Sequence, residues 1–97
     1  MSRPDLLSEE AISHHMSLLP LWQLSGSSIN RTFMLQDFVS AIGFVNAVAI
    51  HAESMDHHPH IRLYGWNKVD ISISTHDKGG LTELDMHLAS KIDAISF

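Results

Sequence analysis

The chain has 97 residues, no cysteine, and a formal charge of -5 from eleven acidic and six basic side chains. A chain of this length is expected to form one domain, residues 1–97, that buries roughly 60 to 65% of its unfolded surface. The lack of cysteine excludes disulfides, thiolate zinc sites and cysteine nucleophiles. No Lys/Arg cluster occurs, which disfavours direct nucleic-acid binding. Residues 1–7 lack the apolar stretch of a signal peptide, so a cytoplasmic location is expected.

The first third of the chain predicts a helix followed by a β-hairpin. Ser8 can cap a helix that runs to about Met16, because two glutamates in its first turn complement the helix dipole. Pro20 ends that helix. Residues 21–24 and 29–35 are strand-like, and the Ser-Gly-Ser-Ser sequence between them has the composition and length of a hairpin turn.

The longest predicted element is a helix from Asp37, a possible N-cap, to about Met55. Its apolar residues cover nearly the whole circumference, so we expect the sheet on one side and a partner subunit on the other, in a homodimer or homotetramer. A membrane span is disfavoured because the apolar run 41–50 is about half of the roughly 20 residues required and contains Asn46. One apolar stripe comprises Phe38, Ile42, Val45, Ala49 and Ala52.

The remaining chain predicts a second hairpin and a last helix. Residues 60–64 form a short strand, residues 65–67 a turn, and residues 68–76 alternate between apolar and polar side chains as a strand does. A turn at 77–80 leads to leucines and isoleucines at helical spacing from Leu81 to the C-terminus. The order α-β-β-α-β-β-α predicts an α+β fold, a four-stranded antiparallel sheet with its helices packed on one face.

Three histidines accompany acidic residues at element boundaries. Residues 53–59 read Glu-Ser-Met-Asp-His-His-Pro, and His76 ends the second hairpin. Because the ordinary pKa of imidazole is about 6.5, the cluster of His57, His58 and His76 indicates acid–base chemistry or a metal site. Glu53 and His57 are four residues apart, so Glu53 is expected to orient His57 on the last helical turn. His58 has no comparable carboxylate partner in the sequence.

A metal site is the weaker alternative. His58 with His60, or His57 with His76, could supply nitrogen ligands to zinc, with Glu53 or Asp85 as an oxygen ligand. No H-E-x-x-H helix or thiolate supports this site, and adjacent histidines rarely ligate one ion. We therefore expect no metal. Serine-nucleophile chemistry is disfavoured because the serines of 68–76 lie inside a regular strand.

Asp85 has two possible roles, which do not exclude each other. The sequence from Thr82 to Asp85 fits [ST]-x-x-[DE], which is typical of a capping box at the start of a helix. Asp85 could also orient His76 from across the preceding glycine turn.

Together these motifs resemble the pterin-4a-carbinolamine dehydratases, also described as dimerisation cofactors of a homeodomain transcription factor. The resemblance extends from the first helix to the C-terminus. Its motifs are Glu53, His57-His58-Pro59, an aromatic at Tyr64 or Trp66, Asn67-Lys68-Val69, Ser74-Thr75-His76, Gly80-Leu81-Thr82 and Asp85. This spacing is improbable by chance in so short a chain, and the predicted order of elements is that of the family's α+β fold.

The resemblance implies both a substrate and a reaction. A 4a-hydroxytetrahydropterin loses water to give quinonoid dihydropterin, which supports tetrahydropterin recycling and needs neither a cofactor nor a covalent intermediate. His57 and His76 are then the acid–base pair, and His58 mainly binds the pterin. The orienting and pterin-binding residues that the resemblance implies are Glu53, Pro59, Ser74, Thr75 and Asp85.

The competing class is a non-catalytic oligomeric interaction or assembly module on the same fold. Loss of the histidines would favour that class. Since all three are present, the sequence favours the dehydratase.

Overall fold

The helices and strands follow one another in the predicted order in the computed structural model, which describes residues 4–96. The helices are α1 (Glu9–Ser17), α2 (Phe38–Met55) and α3 (Glu83–Asp93), and the strands are β1 (Gln23–Ser25), β2 (Ser28–Met34), β3 (His60–Tyr64) and β4 (Lys68–Ile73). All strand pairs are antiparallel, in the order β1-β2-β4-β3. The predicted α+β fold is confirmed. Residues 1–3 and Phe97, which the single-domain prediction also covers, lie outside the described residues.

The three helices begin at the side-chain caps expected from the sequence. Ser8 Oγ accepts a hydrogen bond from the Ala11 N–H at 3.1 Å, and Asp37 Oδ1 accepts one from the Ser40 N–H at 2.7 Å. Thr82 opens α3 with a complete capping box. These bonds satisfy backbone donors that the first turn of a helix would otherwise leave unpaired.

The sheet buries one face under the helices and leaves the other open. Along β4, Val69, Ile71 and Ile73 are buried, whereas Asp70 and Ser72 point to the open face and are half-buried. The apolar residues from the helices that join this core include Ala41, Phe44, Val48, Met86, Leu88 and Ile92. One-sided burial explains the strict alternation of the β4 sequence.

Helix α2 is apolar on both sides, as predicted, and within residues 4–96 only one side is covered by the rest of the chain. Its buried residues are Ala41, Phe44, Val48 and Ala52. Three of the five members of the stripe identified from the sequence lie on the exposed side, where Phe38 is 53% and Ile42 43% exposed. Within residues 4–96, α2 alone is long and apolar enough to cross a membrane by length and composition. Its packing against the sheet favours a helix of a folded domain.

Strand β4 is shorter than the predicted strand 68–76, because it loses both neighbours at its end. Ile73 pairs with Ile29 near the start of β2, and β3 begins opposite the residue before Ile73. Beyond that point the chain forms a single bridge between Thr75 and Gly80 and then a short 3₁₀ turn. The end of the predicted strand is therefore a turn beside the site.

Strand β1 also differs from the predicted strand 21–24, since it begins at Gln23. Trp22 lies just before the strand and is buried, and its Nε1–H donates to Asp93 Oδ1 at 2.8 Å. Packing of this tryptophan against the end of α3 replaces strand pairing at that residue.

Candidate active site

The end of α2 turns His57 into the protein. Asp56 adopts the left-handed conformation with φ 50° and ψ 44°, while the N–H of His57 reaches the Ala52 carbonyl and that of Asp56 reaches the Glu53 carbonyl. This pair of bonds is a Schellman motif, and aspartate is one of the few non-glycine residues that tolerate its left-handed position. His57 is consequently buried, whereas His58 is exposed.

The carboxylate that holds His57 is Asp85. His57 Nε2 lies 2.6 Å from Asp85 Oδ1, and Asp85 is fully buried. Its Oδ2 accepts the Thr75 hydroxyl and the Thr82 N–H, each at 2.8 Å. Asp85 thus closes the predicted capping box and also orients a histidine. That histidine is His57, so the expectation that Asp85 orients His76 directly was wrong.

The hydrogen bonds around Asp85 determine which nitrogen of His57 carries the proton. An ionised carboxylate only accepts, so His57 donates through Nε2–H and, in the neutral ring, Nδ1 carries the lone pair. The single hydroxyl proton of Thr75 goes to Asp85. The Thr82 hydroxyl therefore donates to Thr75 Oγ1, 2.9 Å away, and accepts from the Leu84 N–H. This network fixes the tautomer of His57 and leaves Nδ1 as its basic nitrogen.

Glu53 pairs with His58 rather than with His57. Glu53 Oε1 lies 2.8 Å from His58 Nε2, and the side chains are 81% and 61% exposed. The expectation from i, i+4 spacing was wrong because the helix ends at Met55, and the left-handed Asp56 turns the following residues away from helical positions. An ion pair this exposed contributes only about 0 to 1 kcal/mol, so His58 can readily exchange it for a ligand.

His76 contacts another histidine. It lies on the 3₁₀ turn that follows β4, and its Nε2 is 3.4 Å from Nε2 of His60, with the two rings perpendicular. His60 is one of the residues that line a groove of about 500 Å³ on the open face of the sheet. From the sequence, His60 was considered only as a possible metal ligand. The alternation of β3 and β4 indicates that His60 shares a face with Ser72, but only the strand register places it beside His76.

Hydrogen bonds and short stretches of chain link the segments that carry the three histidines. Asp85 joins His57 to Thr75, the residue directly before His76, and His60 lies two residues after His58. Of the remaining predicted site residues, Thr75 is buried, and Pro59 and Ser74 are half-buried. Among residues 4–96, no group of three or more His, Cys, Asp or Glu side chains is placed to hold a metal ion. The arrangement suits proton transfer between imidazoles and a bound molecule.

The fold and the site together define a class: small α+β proteins with a buried histidine–carboxylate pair and exposed histidines in the adjoining segments. The chain belongs to the pterin 4 alpha carbinolamine dehydratase family, whose model matches residues 5–95. A relative from Sulfurisphaera tokodaii, provisionally named pterin-4-alpha-carbinolamine dehydratase, is 43% identical over 89 residues, which cover 92% of this chain and 95% of the relative. The resemblance inferred from the motifs is confirmed.

Two solved structures share the fold. The crystal structure of a transcriptional coactivator/pterin dehydratase from Brucella melitensis is 36% identical, with a TM-score of 0.89 over 96% of this chain and all of the other. A pterin dehydratase-like protein described as a RuBisCO assembly factor in the alpha-carboxysome is 23% identical, with a TM-score of 0.62 over 75% of this chain and 83% of the other. The second likeness is one of fold alone.

Proposed function

We propose that this protein is a dehydratase that removes water from a 4a-hydroxytetrahydropterin by histidine acid–base catalysis. Family membership supports the reaction class. The observation that carries the mechanism is the hydrogen bond of 2.6 Å from His57 to the buried Asp85, which leaves one defined basic nitrogen on the imidazole. We also propose a homodimeric or homotetrameric assembly, and the cytoplasmic location stays a prediction.

The dehydration needs one acid and one base. The bond from C4a to its hydroxyl oxygen breaks as that oxygen receives a proton, and water leaves. The base takes the proton from N5, and the electron pair left on N5 forms the N5=C4a double bond of quinonoid dihydropterin. Positioned acid–base groups of this kind typically contribute about 10²- to 10⁴-fold each.

The contacts of each imidazole support a division of these tasks. His57 is the base, because its Nδ1 can take the N5 proton while Asp85 stabilises the imidazolium that results. His76 is the acid that protonates the leaving oxygen. His58 binds the pterin. Its contact with Glu53 is exposed to water and therefore weak, so a ligand can replace it. Thr75 acts indirectly, by holding Asp85.

The alternative function is a non-catalytic interaction or assembly module. The same fold occurs in the protein described as a RuBisCO assembly factor, but at 23% identity that likeness is one of fold. The presence of all three histidines favours the dehydratase for this chain.

A stopped-flow assay of 4a-carbinolamine loss tests the proposal. Purified protein should accelerate the loss well above the uncatalysed rate, in proportion to enzyme concentration. His14→Ala, which removes an exposed imidazole on α1, is the matched control and should keep full activity. A rate equal to that of buffer alone would overturn the dehydratase and favour the assembly module.

A further inference from the structure

The contact between His60 and His76 constrains where protons can lie. Their Nε2 atoms are 3.4 Å apart, and the ring centroids are 5.5 Å apart with an interplanar angle of 90°. A ring nitrogen either donates or accepts, so only one of the two Nε2 atoms can carry a proton in this contact. Two protonated rings would repel each other. Hydrogen bonds of catalytic groups are often long before substrate binds and shorten in the complex.

The surroundings of His60 make His76 its natural partner. Asp70, the acidic residue that lines the same groove as His60, already accepts the Thr32 hydroxyl at 2.7 Å and pairs with Arg62 at 3.1 Å. Arg62 also stacks on Tyr64, 4.2 Å from the ring centre. His60 therefore faces an arginine along its own strand and His76 across the turn.

Other charged groups lie in the segments that adjoin the pair along the chain. The end of α2 contributes the exposed pair of Glu53 and His58, and the 3₁₀ turn carries Asp77 and Lys78 beside His76. Asp77 itself has an interaction partner. These charges are of both signs. The contact that involves Nε2 of His76 directly is the one with His60.

We propose that His60 is a positioning residue that fixes which nitrogen of His76 carries the proton. When His76 is protonated, its Nε2–H donates to the neutral His60, which holds the ring in place while Nδ1–H faces outward as the acid. After His76 gives up the Nδ1 proton, the same Nε2–H bond keeps Nδ1 as the site to be reprotonated. This inference rests on the proposed dehydratase function for its catalytic consequence, but not for the hydrogen bond itself.

Two measurements on the full chain test the inference. Long-range ¹H–¹⁵N NMR spectra report the tautomer of each histidine, and the His76 signals can be assigned by their loss in His76→Ala. In His60→Ala the His76 nitrogen shifts should move towards those of a freely exchanging imidazole. The pH profile of kcat should change as well, with a fall of roughly tenfold at neutral pH. His60→Gln, which keeps a hydrogen-bonding group, should recover part of that loss.

His87→Ala, which removes an exposed imidazole on α3, is the control and should leave both readouts unchanged. Unchanged His76 shifts in His60→Ala would overturn the inference. Changed shifts with an unaltered kcat profile would overturn the catalytic role. A wild-type protein without dehydratase activity would overturn the proposed function, while the NMR comparison would still decide whether His60 sets the tautomer of His76.

Discussion

Nε2 of His57 lies 2.6 Å from Oδ1 of Asp85, and the two side chains are only 5% and 0% exposed. Asp85 accepts from three donors in all, those of His57, Thr75 and Thr82. The carboxylate therefore links the end of α2, the segment after β4 and the start of α3. One residue therefore both stabilises the fold and fixes the imidazole that we propose as the base.

Replacing Asp85 with Asn should damage both roles. The amide oxygen can still accept from Thr75 and Thr82, but the NH₂ group must then donate to His57 Nε2, which reverses the His57 tautomer. The charge-assisted bond to the imidazole is lost as well, at a cost of about 1 kcal/mol in unfolding free energy. We expect kcat to fall by about 10²-fold, because the His57 tautomer is reversed. Denaturant unfolding and steady-state kinetics measure the two effects.

Thr75→Val is the matched control for that substitution. It removes one donor to Asp85 but keeps the bond to His57. It should lower stability by about 1 kcal/mol and reduce kcat much less than Asp85→Asn. Equal losses of kcat in the two variants would show that general destabilisation, not imidazole orientation, explains the result.

Removal of metal should not affect activity. The chain has no thiolate, and residues 4–96 contain no cluster of ligands placed around a common ion. After dialysis against EDTA, kcat and KM should equal those of untreated protein. Loss of activity that zinc restores would contradict the acid–base account.

Self-association should occur through the outer side of α2. On that side Val39 is 79% and Ile50 70% exposed, which is a large apolar surface for one small protein to leave in water. Light scattering should give a mass of a dimer or tetramer, and Ile50→Glu should shift the population towards monomer with an unchanged circular dichroism spectrum. A wild-type mass near 10.8 kDa at micromolar concentration would contradict this prediction.

Asp37 should contribute stability that depends on pH. The hydrogen bonds from Ser40 to this N-cap lower the pKa of the carboxyl from 3.8. Because the folded pKa lies below the unfolded one, the contribution is present above the unfolded pKa and is lost as pH falls through the folded value. Asp37→Asn keeps a capping oxygen without the charge, so the stability difference between wild type and this variant should shrink as the solution is acidified below about pH 4. A constant difference, measured by urea unfolding, would contradict the assignment.

The sequence predicted the fold well because its local signals agree with the tertiary packing. The three caps and the alternation along β4 each report a local preference that the structure keeps. The histidine partners were harder to predict, because spacing along a helix says nothing once the helix has ended. Because Asp56 is left-handed, Glu53 contacts His58 and not His57 as expected. The register between β3 and β4 places His60 beside His76.

The roles of the histidines should separate in single variants. His57→Ala and His76→Ala remove the proposed base and the proposed acid, so kcat should fall by about 10²-fold or more. His58→Ala removes a binding contact and should mainly raise KM. Steady-state kinetics with each variant check this. A lower kcat with unchanged KM in His58→Ala would contradict this division and assign a proton transfer to His58 instead.

The double variant His57→Ala, His76→Ala tests the central claim most directly. Stopped-flow measurement of 4a-carbinolamine loss, made on protein whose fold is intact by circular dichroism, should give a rate close to that of the uncatalysed dehydration, because both the base and the acid are gone. A double variant that kept near wild-type kcat would contradict histidine acid–base catalysis in this protein.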